Sequence, residues 1–373
     1  MKILKKAKFR YDIIIPLIAF FIISILSIYS ASSTSSNQIV TKQVLWYLIG
    51  FIIIIITSNK NLKWVTNFTF LLYIIGNVAL LLLLIIGTEV NGSKCWFIIP
   101  GIGSIQPSEF MKLILILVNA KIFEFYGKKY PISTLKSDVK LCLIILGITL
   151  IPSILTFLEP DTGMVIIYFL ISFVMLFIYG IKKGIFFMVF LVIIIAIGSF
   201  LYFYFNFQDD FINIFGTSFF YRIDRLLDWS NKSGMQLTNA LAAIKAAGPF
   251  GFGIGNTPIY IPESHTDFVF SIFSCNFGLV GTLVLIGMIV LFDYGLLRYA
   301  NETHNKMHKF IILGFFTMIL YQQVQNIGMN IGLLPITGIT LPFISYGGSS
   351  LLSYMLGVAL VLNFDNKTNY TPS

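Results

Sequence analysis

Charged residues are scarce in this chain, and their scarcity excludes a soluble globular architecture. Only 11% of the residues are charged, whereas 57% are hydrophobic and the mean hydropathy is +0.88. An apolar run of about 18 or more residues can cross the roughly 30 Å core of a bilayer as a helix. We therefore predict an all-α, polytopic membrane protein with about ten transmembrane helices, at 11–30, 43–57, 64–87, 109–126, 139–158, 164–180, 185–205, 268–297, 310–331 and 343–364.

Cysteine is also rare, which limits metal and disulfide chemistry. Cys95, Cys142 and Cys275 lack the close spacing of a metal site, and an odd count argues against a disulfide framework. No cofactor is therefore predicted with certainty from these residues.

Basic residues outnumber acidic ones by 25 to 16 and concentrate in alternate loops, as in Lys182-Lys183. This is the positive-inside pattern of a multi-pass membrane protein. It predicts cytoplasmic termini and places 88–108, 159–163 and about 206–267 on the outer face. The net charge of +9 is thus mainly a topology signal, and no nucleic-acid partner is predicted.

The chain is predicted to be a single transmembrane domain, 1–373, with a large extracytoplasmic loop at about 206–267. A structureless loop of that length would be unusual. Leu237, Leu241 and Ile244 have helical spacing and predict a short helix over 235–247. The Gly-rich run 248–255 that follows lacks the strand and helix of a dinucleotide site, so a turn or close backbone packing is favoured.

Three ionisable residues, Glu263, His265 and Asp267, directly precede a long apolar run. Ionisable groups beside hydrocarbon are costly and often functional. Asp267 suits either a helix N-cap or a general base whose pKa is raised by partial burial. If the segment is extended, the three side chains share one face and could hold a divalent cation such as Mg²⁺ or Mn²⁺, which is the weaker hypothesis.

Two further sets of charges lie in the predicted outer half. Glu109 and Lys112 are three apart, hence on one helical face, where a structural ion pair and a substrate role are equally favoured. Arg222 and Arg225 suit either a solvated loop surface or bidentate capture of a phosphate or diphosphate.

Amide side chains form a stripe on the ninth predicted span, at Gln322, Asn326 and Asn330. Such a stripe either makes interhelical hydrogen bonds or lines a polar cavity. Trp96, taken alone, is typical of an aromatic residue at the membrane interface.

Residues 326–350, Asn-Ile-Gly-Met-Asn through Pro-Phe-Ile-Ser-Tyr-Gly-Gly-Ser-Ser, closely resemble the signature of the RodA/FtsW/SpoVE (SEDS) family. The resemblance extends over essentially the whole chain, and within the family the sequence is most like RodA or SpoVE. Matching blocks occur in order at Tyr29-Ser30-Ala31-Ser32, Asn91-Gly92 with Trp96, Gln106-Pro107-Ser108-Glu109 with Lys112, Pro160-Asp161-x-Gly163 and Pro262-Glu263-x-His265-Thr266-Asp267-Phe268.

The resemblance implies a peptidoglycan glycosyltransferase that polymerises lipid II, by inverting glycosyl transfer, for cell elongation, division or sporulation. It implies that Asp267 is required and that Trp96 is important. Asp267 is interpreted as the base, and Lys112, Arg222 and Arg225 as candidates to bind the diphosphate. The remaining substrate-binding candidates are Glu109, Glu263, His265, Gln322, Asn326, Ser345 and Ser349.

The same resemblance implies partners and leaves alternatives open. Lipid II and polyprenyl diphosphate would be bound, and a class B penicillin-binding protein would supply transpeptidation. The alternatives are a lipid II transporter (flippase) and a catalytically weak scaffold for the transpeptidase.

The chain departs from the family pattern at three places in the outer half. Cys95 replaces an Arg, Glu159 replaces a Gln, and Cys275-Asn276 replaces an acidic pair. Because an Arg and an acid are both replaced by Cys, we hypothesise that Cys95 and Cys275 are neighbours, possibly bridged.

Overall fold

The computed structural model describes residues 10–31, 37–58, 63–90, 93–99, 103–132, 134–217, 219–220 and 234–368. Helices dominate these residues, as the apolar runs predict. They are α1 Tyr11–Ala31, α2 Asn37–Ser58, α3 Lys63–Asn67, α4 Thr69–Ile86, α5 Pro107–Lys129, α6 Leu135–Leu158, α7 Thr162–Tyr179, α8 Lys183–Asn206, α9 Gln208–Phe215, α10 Met235–Ala246, α11 Val269–Glu302, α12 Lys306–Asn330 and α13 Gly348–Thr368.

Eight of the described helices are long and apolar enough to cross a membrane. They are α1, α2, α4, α6, α7, α8, α11 and α12. The apolar stretch of α13 is shorter, and α5 carries a buried ion pair. The polytopic all-α class is therefore confirmed, whereas the count of ten spans and the cytoplasmic termini stay predictions.

The helix α5 lies at the centre of the bundle, where it packs against α4, α6, α7, α12 and α13. Its apolar side chains Met111, Leu115 and Val118 are fully buried. Interhelical hydrogen bonds also cross the core. For example, Asn119 Nδ2 donates to Ser172 Oγ at 3.0 Å. Such contacts supply directional attraction where lipid provides no hydrophobic driving force between helices.

A small antiparallel sheet, which we did not predict, interrupts the helices between α4 and α5. Its strands are β1 Thr88–Val90, β2 Ser93–Ile99 and β3 Gly103–Ile105, in the order β1-β2-β3. Val90 pairs with Ser93, and Asn91-Gly92 lies between them in sequence. An Asn-Gly dipeptide is a strong hairpin signal and could have indicated the pairing of β1 with β2.

Helix α11 is broken at Gly278, whose φ is 63°. The break leaves backbone groups without helical partners, and the Gly-rich run 248–255 satisfies them. The N–H groups of Leu279 and Val280 donate to the carbonyls of residues 248 and 249, and those of residues 252 and 253 donate to the carbonyls of Cys275 and Asn276. Non-helical backbone at membrane depth is tolerated where protein pairs it in this way.

The close approach of these two backbone segments also explains why glycine occupies positions 251 and 278. A Cβ at Gly251 would lie 2.3 Å from the carbonyl oxygen of Asn276, and one at Gly278 would lie 2.4 Å from the nitrogen of Gly251. Close backbone packing, one of the two uses predicted for the run, is thereby confirmed. The predicted short helix is present as α10, with Leu237 buried.

Replacing Gly278 by Ala should destabilise the protein strongly. The positive φ alone costs a Cβ-bearing residue about 1–3 kcal/mol, and the backbone clash adds to that. Gly287→Ala is the matched control in the same helix, because a Cβ there meets nothing within 4 Å. The midpoint of thermal unfolding in detergent should be much lower for Gly278→Ala and unchanged for Gly287→Ala. Equal midpoints for the two variants would contradict the explanation given for the break in α11.

Candidate active site

The segments predicted to share one face do meet at one end of the bundle. Hydrogen bonds join these segments one to the next. The α12–α13 connection is bonded to the stretch 262–268, the start of α13 to the sheet, and the sheet to the 159–161 turn. The stretch 262–268 is a series of turns rather than an extended strand. Glu263 has a φ of 52° and its carbonyl accepts from the N–H groups of Thr266 and Phe268. The segment is therefore not extended, and the condition under which Glu263, His265 and Asp267 would share one face is not met.

Asp267 lies just before α11 but does not cap it. The N-cap position is Phe268, whose own side chain makes no capping hydrogen bond. Asp267 therefore does not occupy the N-cap position that the structural alternative assigned to it. Its carboxylate lies beside the backbone of Gly338, where an added Cβ would be 3.7 Å from Oδ2.

Two buried amides hold the backbone of Asp267 in place. Asn326 Nδ2 and Asn330 Nδ2 donate to the Asp267 carbonyl at 2.9 Å and 3.0 Å. Asn326 also donates to the carbonyl of Ile339, and Asn330 Oδ1 accepts from the backbone N–H of Ser271 at 3.1 Å. This part of the amide stripe therefore makes hydrogen bonds between elements, one of its two predicted uses, and it fixes the start of α11.

The α12–α13 connection is fastened to the same turn. Ser345 Oγ donates to the carbonyl of Thr266 at 2.6 Å and accepts from the N–H of Leu341. The N–H of Tyr346 donates to the carbonyl of His265 at 2.8 Å, and the two rings lie 5.8 Å apart. Ser345 thus positions the 262–268 turn. The side chains of His265 and Asp267 remain half-buried, and Glu263 is exposed.

Ser349 links α13 to the sheet and to α5. Its Oγ donates to the carbonyl of Ser104 at 3.1 Å and accepts from the N–H of Gln106 at 3.0 Å. Gln106 Nε2 then donates to Asp161 Oδ2 at 2.8 Å. Asp161 Oδ1 accepts from the N–H of Met164 and so caps α7. Our predictions did not single out Gln106 or Asp161 as site residues, although both lie within blocks that carry the family resemblance.

Glu109 and Lys112 form an ion pair of 2.6 Å, with side chains 2% and 0% exposed. Ser350 Oγ donates to Glu109 Oε1 at 3.0 Å, and Lys112 Nζ lies 3.5 Å from Gln322 Oε1 and 5.1 Å from the Tyr354 ring centroid. The structural alternative, a pair that joins helices, is therefore present. It also places a fixed positive charge inside the bundle near the site.

Glu159 is the most unusual group at this end of the bundle. It is 0% exposed, and neither carboxylate oxygen has a hydrogen-bond partner among the described residues. Burial, reinforced by the nearby Asp161, raises the pKa of Glu159 to about 8. Burial likewise raises the pKa of Asp161 to about 6. The sequence identified Glu159 only as a departure, because nothing local indicates that it is enclosed.

Cys95 and Cys275 are two further departures from the family pattern. Cys95, on β2, donates its thiol to the carbonyl of Glu159 at 2.9 Å. None of Cys95, Cys142 and Cys275 forms a disulfide, so the hypothesised Cys95–Cys275 bridge is not formed. Trp96 is half-buried on β2, with its carbonyl accepting from Thr88 Oγ1 at 3.0 Å.

Arg222 and Arg225 lie outside the described residues. Among 10–31, 37–58 and the other described ranges, no group of three or more His, Cys, Asp or Glu residues could hold a metal ion. The arrangement of Glu263, His265 and Asp267 thus gives the divalent-cation hypothesis no support, and that hypothesis stays a prediction.

Replacing Glu109 by Gln should destabilise the bundle, because it leaves Lys112 buried without its counter-charge. Breaking a buried ion pair from one side typically costs about 3–5 kcal/mol. The double variant Glu109→Gln/Lys112→Met should recover much of this loss in thermal unfolding. If the double variant is less stable than Glu109→Gln, the paired charges do not account for the loss.

The sequence matches the FtsW/RodA/SpoVE family, described as cell cycle proteins, over residues 8–370. Stage V sporulation protein E of Bacillus subtilis (strain 168) is 32% identical over 377 residues, covering 93% of this chain and 94% of that protein. A probable peptidoglycan glycosyltransferase FtsW of Alcanivorax borkumensis is 34% identical over 299 residues, covering 76% of this chain and 72% of the relative.

Solved structures of proteins from the same family also match this chain. One chain, from a study of the structural coordination of polymerization and crosslinking by a peptidoglycan synthase complex, is 25% identical with a TM-score of 0.78. It is matched over 96% of this chain and 98% of its own length. RodA of Thermus thermophilus is 25% identical with a TM-score of 0.70, covering 97% and 98%. The chain therefore belongs to the FtsW/RodA/SpoVE family of multi-pass membrane proteins.

Proposed function

We propose that this protein is a peptidoglycan glycosyltransferase that polymerises lipid II at the outer face of the cytoplasmic membrane. The names of its relatives support the reaction class, since several are described as probable peptidoglycan glycosyltransferases. The observation that carries the proposal is the fixed position of Asp267, whose carbonyl is bound by two buried amides while its side chain stays half-buried.

The proposed reaction is a displacement at an anomeric carbon with inversion. Asp267 accepts the proton of the acceptor sugar hydroxyl as that oxygen attacks the anomeric carbon of the donor. The new glycosidic bond forms as the bond to the diphosphate breaks, and polyprenyl diphosphate leaves with the electron pair. Cations stabilise the charge that develops on the leaving group.

We assign the diphosphate to Arg222 and Arg225, with Lys112 contributing its positive charge from within the bundle. Bidentate guanidinium groups suit a diphosphate better than a single ammonium does. Mg²⁺ is usually held by one or two carboxylates together with substrate phosphates, so a Mg²⁺ or Mn²⁺ ion is proposed to bind through the substrate diphosphate.

The remaining candidates divide by what they contact. Trp96, Glu263 and His265 have accessible surface and are proposed to contact substrate. A second set holds the site together through hydrogen bonds or the buried ion pair: Glu109, Gln322, Asn326, Ser345 and Ser349.

The proposal includes a class B penicillin-binding protein as the partner that crosslinks the new strands. The solved relative that belongs to a complex coordinating polymerization and crosslinking supports this. A transporter is less favoured, because Asn326 and Asn330 are engaged in hydrogen bonds to protein backbone and side chains.

Replacing Asp267 by Asn should abolish polymerisation while leaving the protein folded. General base catalysis typically contributes about 10²–10⁴-fold, so turnover of lipid II should fall by that factor. Glycan length and rate would be followed with the purified full chain, with and without candidate transpeptidases. Asp209→Asn, an exposed acid on α9, is the control. Normal glycan synthesis by Asp267→Asn would refute the base assignment.

Replacing Asn326 by Ala should reduce kcat more than it changes KM, because it loosens the backbone of the proposed base. A displacement of about 1 Å can cost about 100-fold in rate. Asn119→Ala is the matched control, since Asn119 is also buried and hydrogen-bonded but lies in the core of the bundle. Equal effects of the two substitutions on kcat would indicate that general destabilisation is the cause.

A further inference from the structure

Glu159 is a buried carboxyl group that the proposed reaction does not use. It ends α6 at the C-cap position, is 0% exposed, and has two oxygens without hydrogen-bond partners among the described residues. Buried polar groups are normally paired, so an unpaired carboxyl beside a candidate active site requires an explanation.

The groups shown to face Glu159 come from its own turn, from α7 and from β2, while the nearby cation Lys112 acts on Asp161. Asp161, two residues further on, adds negative charge, and Tyr168 on α7 is close enough to interact with the charge of Glu159. From β2, the thiol of Cys95 donates to the Glu159 carbonyl rather than to its carboxyl group. Lys112, on α5, is paired with Glu109 at 2.6 Å.

An ionised carboxylate in this position would be unfavourable. It would be removed from water, would lack any hydrogen-bond donor among the described residues, and would lie near another acid. A group in that situation retains its proton instead. This agrees with the raised pKa of about 8, so Glu159 is neutral at pH 7.

The neutral side chain lies where two parts of the site are joined. Cys95 connects the turn to β2, and therefore to the neighbouring Trp96. Asp161 connects the same turn to α7 through Met164 and to the start of α5 through Gln106. A second negative charge in this turn would draw in water and repel Asp161, which would weaken both connections.

We propose that Glu159 is a positioning residue that must carry a proton for the site to be active. When Glu159 gives up its proton to solvent at alkaline pH, the turn at 159–161 separates from β2 and polymerisation slows. The inference rests on the proposed function, which it deepens by naming a protonation state that the site requires.

The test compares the wild-type chain with Glu159→Gln, which keeps the shape and cannot ionise. Polymerisation of lipid II by each purified full chain would be measured from pH 6 to pH 10. The ratio of wild-type to variant kcat should be constant below pH 7.5 and fall about tenfold for each pH unit above the pKa of the single group. Taking the ratio removes the titration of groups that do not interact with Glu159. Asp161 does interact with it, but its pKa of about 6 lies below the pH range in which the ratio is expected to change.

Asp210→Asn, which removes an exposed acid from α9, is the matched control and should follow the wild-type profile. Glu159→Leu is also uncharged and serves for the comparison if the Gln variant does not purify. A ratio that stays constant from pH 6 to pH 10 would overturn the inference.

A second readout separates this inference from the proposed function. Because the pKa of Glu159 is raised in the folded state, its contribution to stability is complete below the unfolded value and is lost as pH rises toward about 8. The thermal midpoint of the wild type should therefore fall relative to Glu159→Gln between about pH 5 and pH 8, and the difference should then level off.

The kcat ratio and the midpoint difference together distinguish failure of the inference from failure of the proposed function. If no chain polymerises lipid II at any pH, the proposed function fails. The pH dependence of the midpoint difference then decides the protonation of Glu159. A midpoint difference that does not change with pH would overturn the inference even if all the chains are active.

Discussion

The carbonyl of Asp267 accepts hydrogen bonds from two amides of α12, and the geometry of the whole site depends on this contact. Asn326 and Asn330 lie one turn apart on a helix whose position is set by the core. They transmit that position to a turn that has little regular structure of its own. The proposed base is therefore placed by a transmembrane helix rather than by its own loop, which favours precise geometry.

Buried polar groups of this kind do more than join helices. Lipid offers no competing hydrogen bonds, so each buried donor and acceptor must find a protein partner. Ser345, Ser349 and Gln106 meet that requirement by joining the ends of different elements. The same bonds that satisfy the backbone thus assemble the site. Several described buried polar atoms lack partners, and Glu159 stands out among them because both oxygens of its carboxyl group do.

The sequence predicted the helices well because the hydrophobic signal is local. It also predicted α10 and the Glu109–Lys112 pair, since both follow from helical periodicity. The sheet at 88–105 was missed because its strands are short and lie in a Gly- and Pro-rich segment, where apolar length is uninformative.

The site was harder to predict than the fold because its contacts join residues far apart in the chain. The family pattern identified Asp267 as important, but the stripe on α12 left two uses open until its partners were known. The departures at Cys95 and Cys275 suggested a disulfide, which is not formed, and the thiol of Cys95 donates instead to the carbonyl of residue 159. A contact between residues 64 positions apart cannot be read from the local sequence, because it is set by the packing of whole helices.

The break in α11 has a consequence for how this protein can vary. Gly251 and Gly278 occupy the same small volume, so a side chain on either one displaces the backbone of the other. Neither substitution can be compensated by the second, and the four backbone hydrogen bonds also forbid a shift of one segment along the other. Insertions near this crossing should therefore be confined to the chain before residue 248 or after residue 255, and the crossing itself should tolerate neither added residues nor larger ones.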